Sequence, residues 1–248
     1  MNQEVRHISP TVDKEARRVD QQSARRAGTA ARKPKCPIVM FDGQIADLAD
    51  MQAGQIDFAH IGAALSKTAR FTGRHRGGAI SVAQHCVMGA DALFRESGDG
   101  VLAGYFLLHD AHEYLLGDIG RPAVLDIDLK TAEYLIEKGV PAAIAHGAVA
   151  EGTKRSKRAL DVPIIEAARL PPISRMPLYA RQVAEMDERM CLAEARALYG
   201  AKGDFPLVRC DLPPPRLTGA IEPWGAMKAE IAFLDRLDRY LGIVVRAA

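Results

Sequence analysis

Apolar positions along this chain recur mostly at helical spacing, and the alternation that marks strands is scarce. Ile56, Ala59, Ile61, Ala63, Ala64 and Leu65 fit one helix over 57–69. Ser81 precedes a second run over 82–95, and its hydroxyl can accept a hydrogen bond from an unpaired N–H of the first turn. Residues 97–100 (SGDG) break that run. Residues 101–115 are apolar on every side except in their last third, the pattern of a helix buried in a core. Gly117, Gly120 and Pro122 read as its stop. Further helices are expected over 129–138, 141–150, 156–168, 177–199 and 223–241. The segment 204–217 is too rich in proline for a helix and suits an extended wrap over the surface. Asp42-Gly43, with apolar residues either side in 37–46, predicts a short hairpin closed by a two-residue turn. The pattern as a whole predicts an all-α fold carrying one small N-terminal β-hairpin.

Composition adds boundaries. The chain has 248 residues, 48% of them hydrophobic, which is enough for one core. The net charge of +2 is unevenly spread. Residues 1–36 hold nine Lys/Arg against four Asp/Glu and few apolar residues, so they read as a flexible basic leader. The remainder, 37–248, is slightly acidic and reads as a single domain, with its core at about 55–200 and the wrap and last helix at 204–241. Nothing in this charge pattern calls for a nucleic-acid polymer as partner. No run of apolar residues is long enough to span a membrane. Cys36, Cys86, Cys191 and Cys210 form no CxxC pair, which suits free thiols in a reducing cytoplasm.

The chemistry sits where the apolar helix ends, in GYFLLHDAHEYLLGDIGRP. His109, Asp110, His112, Glu113 and Asp118 follow directly on Tyr105-Phe106-Leu107-Leu108. Unpaired charge is costly to bury, so this cluster needs partners: a metal ion or a salt-bridge network. Neighbouring helix residues are about 100° apart, so His109 and Asp110 splay around one point, where an ion can take a ligand from each. Glu113, four after His109 and three after Asp110, would lie one turn on along the same face. His112 is turned away from Glu113.

This run resembles the HD-domain superfamily of metal-dependent phosphohydrolases, in which a His on one helix, a His-Asp pair on a later one and a downstream Asp share an ion. The stretch TARFTGRHRGGAISVAQH…LLHDAHEYLLGDIGRPA is similar to the YfbR-like 5′-deoxynucleotidase branch, over about residues 37–200. The resemblance implies an HD-domain helical bundle and one divalent ion (Mn, Co, Fe, Zn or Mg) held by His85, His109, Asp110 and Asp187. Asp187 borders an apolar stripe of Val183, Met186, Met190, Ala193 and Ala197, whereas its rival Asp161 precedes Val-Pro and looks like a turn or cap residue. The resemblance makes Glu113 and Asp118 the catalytic acids and Arg70 the phosphate grip, with Phe71 packing on sugar or base. Arg74 and His75 are further candidates in the same loop. It also implies a homodimer acting on a small nucleotide, with release of phosphate from a nucleoside 5′-monophosphate. The same motif would serve a hydrolase of guanosine tetraphosphate, of dNTPs or of a phosphodiester, or a non-catalytic metal-binding scaffold. Two positions depart from the branch. Phe71 replaces a Trp that crowds the sugar 2′ position, which leaves ribo and deoxy substrates both open. Gln84 replaces an acidic residue expected to support the first His.

Overall fold

A computed structural model describes residues 33–200 and 211–245. Two strands, β1 (Pro37–Val39) and β2 (Ile45–Asp47), pair antiparallel with Val39 opposite Ile45. All other regular structure among the described residues is helical. The hairpin forms where Asp42-Gly43 places it, but with a longer turn. Met40 N–H donates to the Gln44 carbonyl, so the closing loop is Phe41-Asp42-Gly43, and Gly43 takes the left-handed φ of +79°. A three-residue loop ending in a left-handed glycine is the next commonest hairpin solution after the two-residue turn.

The helices are α1 (Phe58–Leu65), α2 (Val82–Ser97), α3 (Gly100–Leu108), α4 (Glu113–Leu116), α5 (Arg121–Glu137), α6 (Ala142–Ala145), α7 (Ala148–Ala167), α8 (Pro177–Tyr199) and α9 (Ala226–Leu241). Asp57, Ser81 and Asp99 cap α1, α2 and α3 with side-chain acceptors. The expected long helix over 101–115 is corrected to two. After Leu108 the backbone tightens: the N–H groups of His109, Ala111, Glu113 and Tyr114 each donate to the carbonyl three residues back. That narrower winding changes where side chains point. Pro122 does not stop a helix but starts one, in the first turn of α5, where a missing N–H leaves no hydrogen bond unmade. The expected 129–138 therefore begins eight residues earlier. Over 141–168 the structure has the single turn α6 and the long α7, which holds Pro163 near its C-terminal end. Asp161 thus sits within a helix rather than in a turn.

The core forms around α2 and α3. Leu102 through Leu108 are all buried, as are Val82–Ala90 of α2. Gly89 and Gly104 permit close approach here. A Cβ on Gly89 would lie 2.1 Å from a ring carbon of Phe106, and one on Gly104 would lie 2.2 Å from a methyl of Leu241. Helix α8 packs on α2 and α3, α9 covers α1, α2 and α3, and α5 pairs with α7. Residues 211–225 run without regular structure over this body. Arg189 holds them by donating to the carbonyls of Pro213 and Pro214 while it forks onto Glu96 at 2.7 and 2.8 Å. The leader over residues 1–32 and the segment 201–210, with Cys210, lie outside the described residues. The other three cysteines are free thiols. Among the described residues no helix is long and apolar enough to cross a membrane.

Phe106 lies under both candidate histidines, its ring centroid 4.4 Å from that of His109 and 5.6 Å from that of His85. A Gly89→Ala chain must displace that buried ring. The substitution should lower stability by about 1–3 kcal/mol in urea unfolding, the usual range for an overpacked core.

Candidate metal centre

Four elements bring the site together. The cap at Ser81 starts α2 and puts His85 in its second turn, fully buried. A bridge between Ala69 and Ser81, with Arg70 N–H donating to the Ile80 carbonyl, closes the loop 70–80 on itself and returns Arg70 to the same end of α2. Within that loop Phe71 and Thr72 hold φ of 55° and 52°. This left-handed region disfavours residues of their bulk, so the loop carries strain at the edge of the site. The tight turn after α3 supplies His109 and Asp110, and the middle of α8 supplies Asp187.

The two imidazoles are oriented from behind. His85 Nδ1 lies 2.8 Å from Glu194 Oε1, and His109 Nδ1 lies 2.6 Å from the Phe106 carbonyl, which only an Nδ1–H can satisfy. Both Nε2 atoms are left for the site, 3.4 Å apart. Asp187 Oδ1 lies 3.3 Å from His85 Nε2 and 3.6 Å from His109 Nε2. Asp110 Oδ2 lies 3.2 Å from His109 Nε2 and 3.9 Å from His85 Nε2. Ligands about 2.1 Å from one ion stand about 3.0–3.4 Å apart when adjacent, so this donor set fits a small divalent cation with modest contraction. The side chains grade from 0% exposed at His85 through 12% and 15% at His109 and Asp110 to 38% at Asp187, so the cluster opens toward Asp187.

Glu194 is the residue that the sequence reading missed. Its side chain is 1% exposed, and its second oxygen takes the Arg70 Nε–H at 2.8 Å. It supports the first histidine, the role expected of the residue at position 84. Gln84 is committed elsewhere: it donates to the Glu222 carbonyl and accepts from Trp224 N–H, pinning the C-terminal wrap. Arg70 is present as expected but is anchored between Glu194 and Asp110, whose Oδ2 lies 3.6 Å away.

Beside the cluster lies a cavity of about 1050 Å³. Arg70, Phe71, Arg74, Glu113 and Asp118 line it, joined by Arg121, Lys154, Lys157 and Arg158. His75 is not part of that lining; its ring stands edge-on to Tyr199, 6.4 Å between centroids. Glu113 is buried, with Lys157 Nζ 3.4 Å from Oε1. Burial, then the nearby charges of Asp110 and Asp118, push its pKa up to about 8, against the pull of Lys157 and Arg70. Burial and Asp110 raise Asp118 as well, opposed by Arg70 and Lys157. At His109 burial disfavours the charged ring, but Asp110 and Asp187 outweigh it and hold the pKa well above the ordinary histidine value. His112 and Asp161, neither assigned to the site from sequence, pair with each other at 2.8 Å on the cavity wall.

Fold and site together define a helical protein with a His/Asp cluster that can bind a metal, an arrangement compatible with an HD domain. No family model matches the chain. Over 184 residues, 68% of this chain and 82% of the relative, it is 32% identical to an uncharacterized protein of Rhodobacter capsulatus, and it belongs to the same family as that protein.

Two outcomes follow from this geometry. Glu194→Gln removes the charge that orients His85 and should weaken Mn²⁺ binding about 10–100-fold in a calorimetric titration, the usual cost of losing such a supporting partner. A proton on His109 Nε2 occupies the electron pair that a cation needs. Mn²⁺ affinity should therefore fall as pH drops below the raised His109 pKa and level off above it, with protons released on binding in weakly buffered solution.

Proposed function

We propose that this protein is a divalent-metal-dependent phosphohydrolase of the HD-domain type, related to the 5′-deoxynucleotidase branch, which releases phosphate from a nucleoside 5′-monophosphate. The observation that carries the reading is the pair of Nε2 atoms, each fixed by a partner on Nδ1 and turned to one point with Asp110 and Asp187. Four protein ligands leave a six-coordinate ion two open positions, unlike the closed tetrahedral sites that serve structure alone.

His85, His109, Asp110 and Asp187 would hold the ion. A divalent cation there supplies acidity to a water and offsets charge on the phosphoryl oxygens. The protein's own groups do the rest. Arg70, fixed by Glu194 at Nε and with Nη1 3.6 Å from Asp110, lines the cavity, where its remaining donors would meet a phosphate oxygen. Glu113, with a pKa near the working range, is suited to take up and return a proton, and Asp118 stands in the same wall to orient the attacking or leaving oxygen. Phe71 offers a flat apolar face to a sugar or base, and Tyr199, edge-on to it at 6.1 Å, extends that surface. The basic side chains on α5 and α7 favour an anionic ligand over a neutral one. The reading takes the protein as a homodimer that acts on a small nucleotide, not on a polymer.

A panel of ribo- and deoxyribonucleoside monophosphates assayed for phosphate with Mn²⁺, Co²⁺ or Mg²⁺ tests it. Release is expected with at least one pair of nucleotide and ion, and Asp187→Ala should lose both the bound ion and the activity. Silence across the whole panel would sink the nucleotidase reading. Release from guanosine tetraphosphate or a phosphodiester alone would keep the hydrolase and change the substrate.

A further inference from the structure

A second group of donors adjoins the four-residue cluster. One nitrogen of His112 and one oxygen each of Asp110 and Glu113 lie within 4.8 Å of one another. Asp161 Oδ1 occupies His112 Nδ1 at 2.8 Å, so Nε2 is the nitrogen left over. That atom is buried and has no hydrogen-bond partner, and the same is true of Glu113 Oε2. Both side chains are only 4% exposed. Buried polar atoms without a partner are rare. Two on adjacent residues, beside a carboxylate and on the wall of one cavity, mark a place for a shared ligand. The chemistry of the trio is mixed imidazole and carboxylate, and a carboxylate behind the imidazole is how ligating histidines are held in orientation.

We propose a second divalent-cation site formed by Asp110, His112 and Glu113, with Asp110 shared between it and the first cluster. Asp110 Oδ2 is the oxygen directed at His85 and His109, which leaves Oδ1 for the second ion. The cations that face this group are Lys157, against Glu113 Oε1, and Arg70, against Asp110 Oδ2. Neither meets His112 Nε2 or Glu113 Oε2. Lys157 is 28% exposed on a flexible stem and can withdraw toward the cavity. The donor set suits Mn²⁺, Fe²⁺ or Co²⁺. Two ions that share one carboxylate can clamp both the attacking and the leaving oxygen of a phosphoryl group. In that state Glu113 is a ligand, and Asp118 is the acid left to handle a proton. An ordered water is the other occupant that the same three groups can accommodate.

Equilibrium dialysis of the full chain against Mn²⁺, read together with the Mn²⁺ EPR spectrum, separates the two. The expected result is about two ions per chain with an exchange-coupled spectrum. His112→Gln should reduce the count to about one with an isolated-ion spectrum, and Asp161→Asn should weaken the second ion about 10–100-fold. One ion per unaltered chain, or two retained by His112→Gln, overturns the proposal. The unaltered chain decides the count by itself, so a variant that fails to fold leaves the test intact. Two ions without phosphate release from any nucleoside monophosphate would remove the nucleotidase reading and leave this site standing. No bound ion at all would overturn both.

Discussion

The carboxylate of Glu194 is the contact on which the site depends. It is buried on α8, yet it ties α2 to the loop at 70–80 by taking His85 at one oxygen and Arg70 at the other. A buried carboxylate is tolerated only when its charge is met and its oxygens are bonded, and here both conditions are fulfilled by two residues remote in sequence. The arrangement has a direction. Arg70 neutralises Glu194, Glu194 polarises and orients His85, and His85 presents Nε2 to the cluster. Burial raises the Glu194 pKa, but Arg70 and His85 reverse that and keep it below the usual range, so the carboxylate stays charged. Take away that charge and the guanidinium is left unpaired in the interior while the imidazole loses its reason to point where it does.

The second constraint is the change of winding after Leu108. A continuous α-helix would carry His109 and Glu113 one above the other on a single face. The tighter turn instead lets the Phe106 carbonyl accept from His109 Nδ1, turns His112 toward Asp161 on α7, and brings Glu113 toward Lys157 on the same helix. One short stretch therefore feeds three different contacts. It can do so because Leu102–Leu108 are locked in the core immediately before it, so the turn starts from a rigid base.

Much of this was legible in the sequence. The 3.6-residue spacing gave α8 its boundaries to the residue, and the apolar run marked the buried α3. The four residues inferred by resemblance do converge, with Asp187 on its helix at the edge of the Met186 and Met190 stripe. Glu194 was not legible as a site residue because a glutamate on a charged helix normally faces water, and its two partners lie 109 and 124 positions away. A weaker signal was there: Asp187, Cys191 and Glu194 stand at i, i+4 and i+7, one stripe of α8. Asp161 was misplaced because Pro163 suggested a break, whereas α7 continues past it. Position 84 shows the limit of reasoning by resemblance. The resemblance led us to expect an acidic support for the first histidine at that position, but a helix sends neighbouring residues in different directions, and Gln84 meets the C-terminal wrap while Glu194 supplies the support.

The charge layout of the cavity bears on the order in which ligands can bind. Asp110, Asp187, Glu113 and Asp118 share the lining with Arg74, Arg121, Lys154, Lys157 and Arg158, and Lys157 reaches Glu113 itself. An anion entering without a cation would meet these carboxylates, and burial, with their mutual crowding added to it, raises the pKa values of Glu113 and Asp118. A divalent ion bound first would offset the charges of its ligands Asp110 and Asp187 and so lower the barrier to a phosphate ester there. On the proposed reading, then, the cation is a precondition for productive substrate binding and not only for the chemistry.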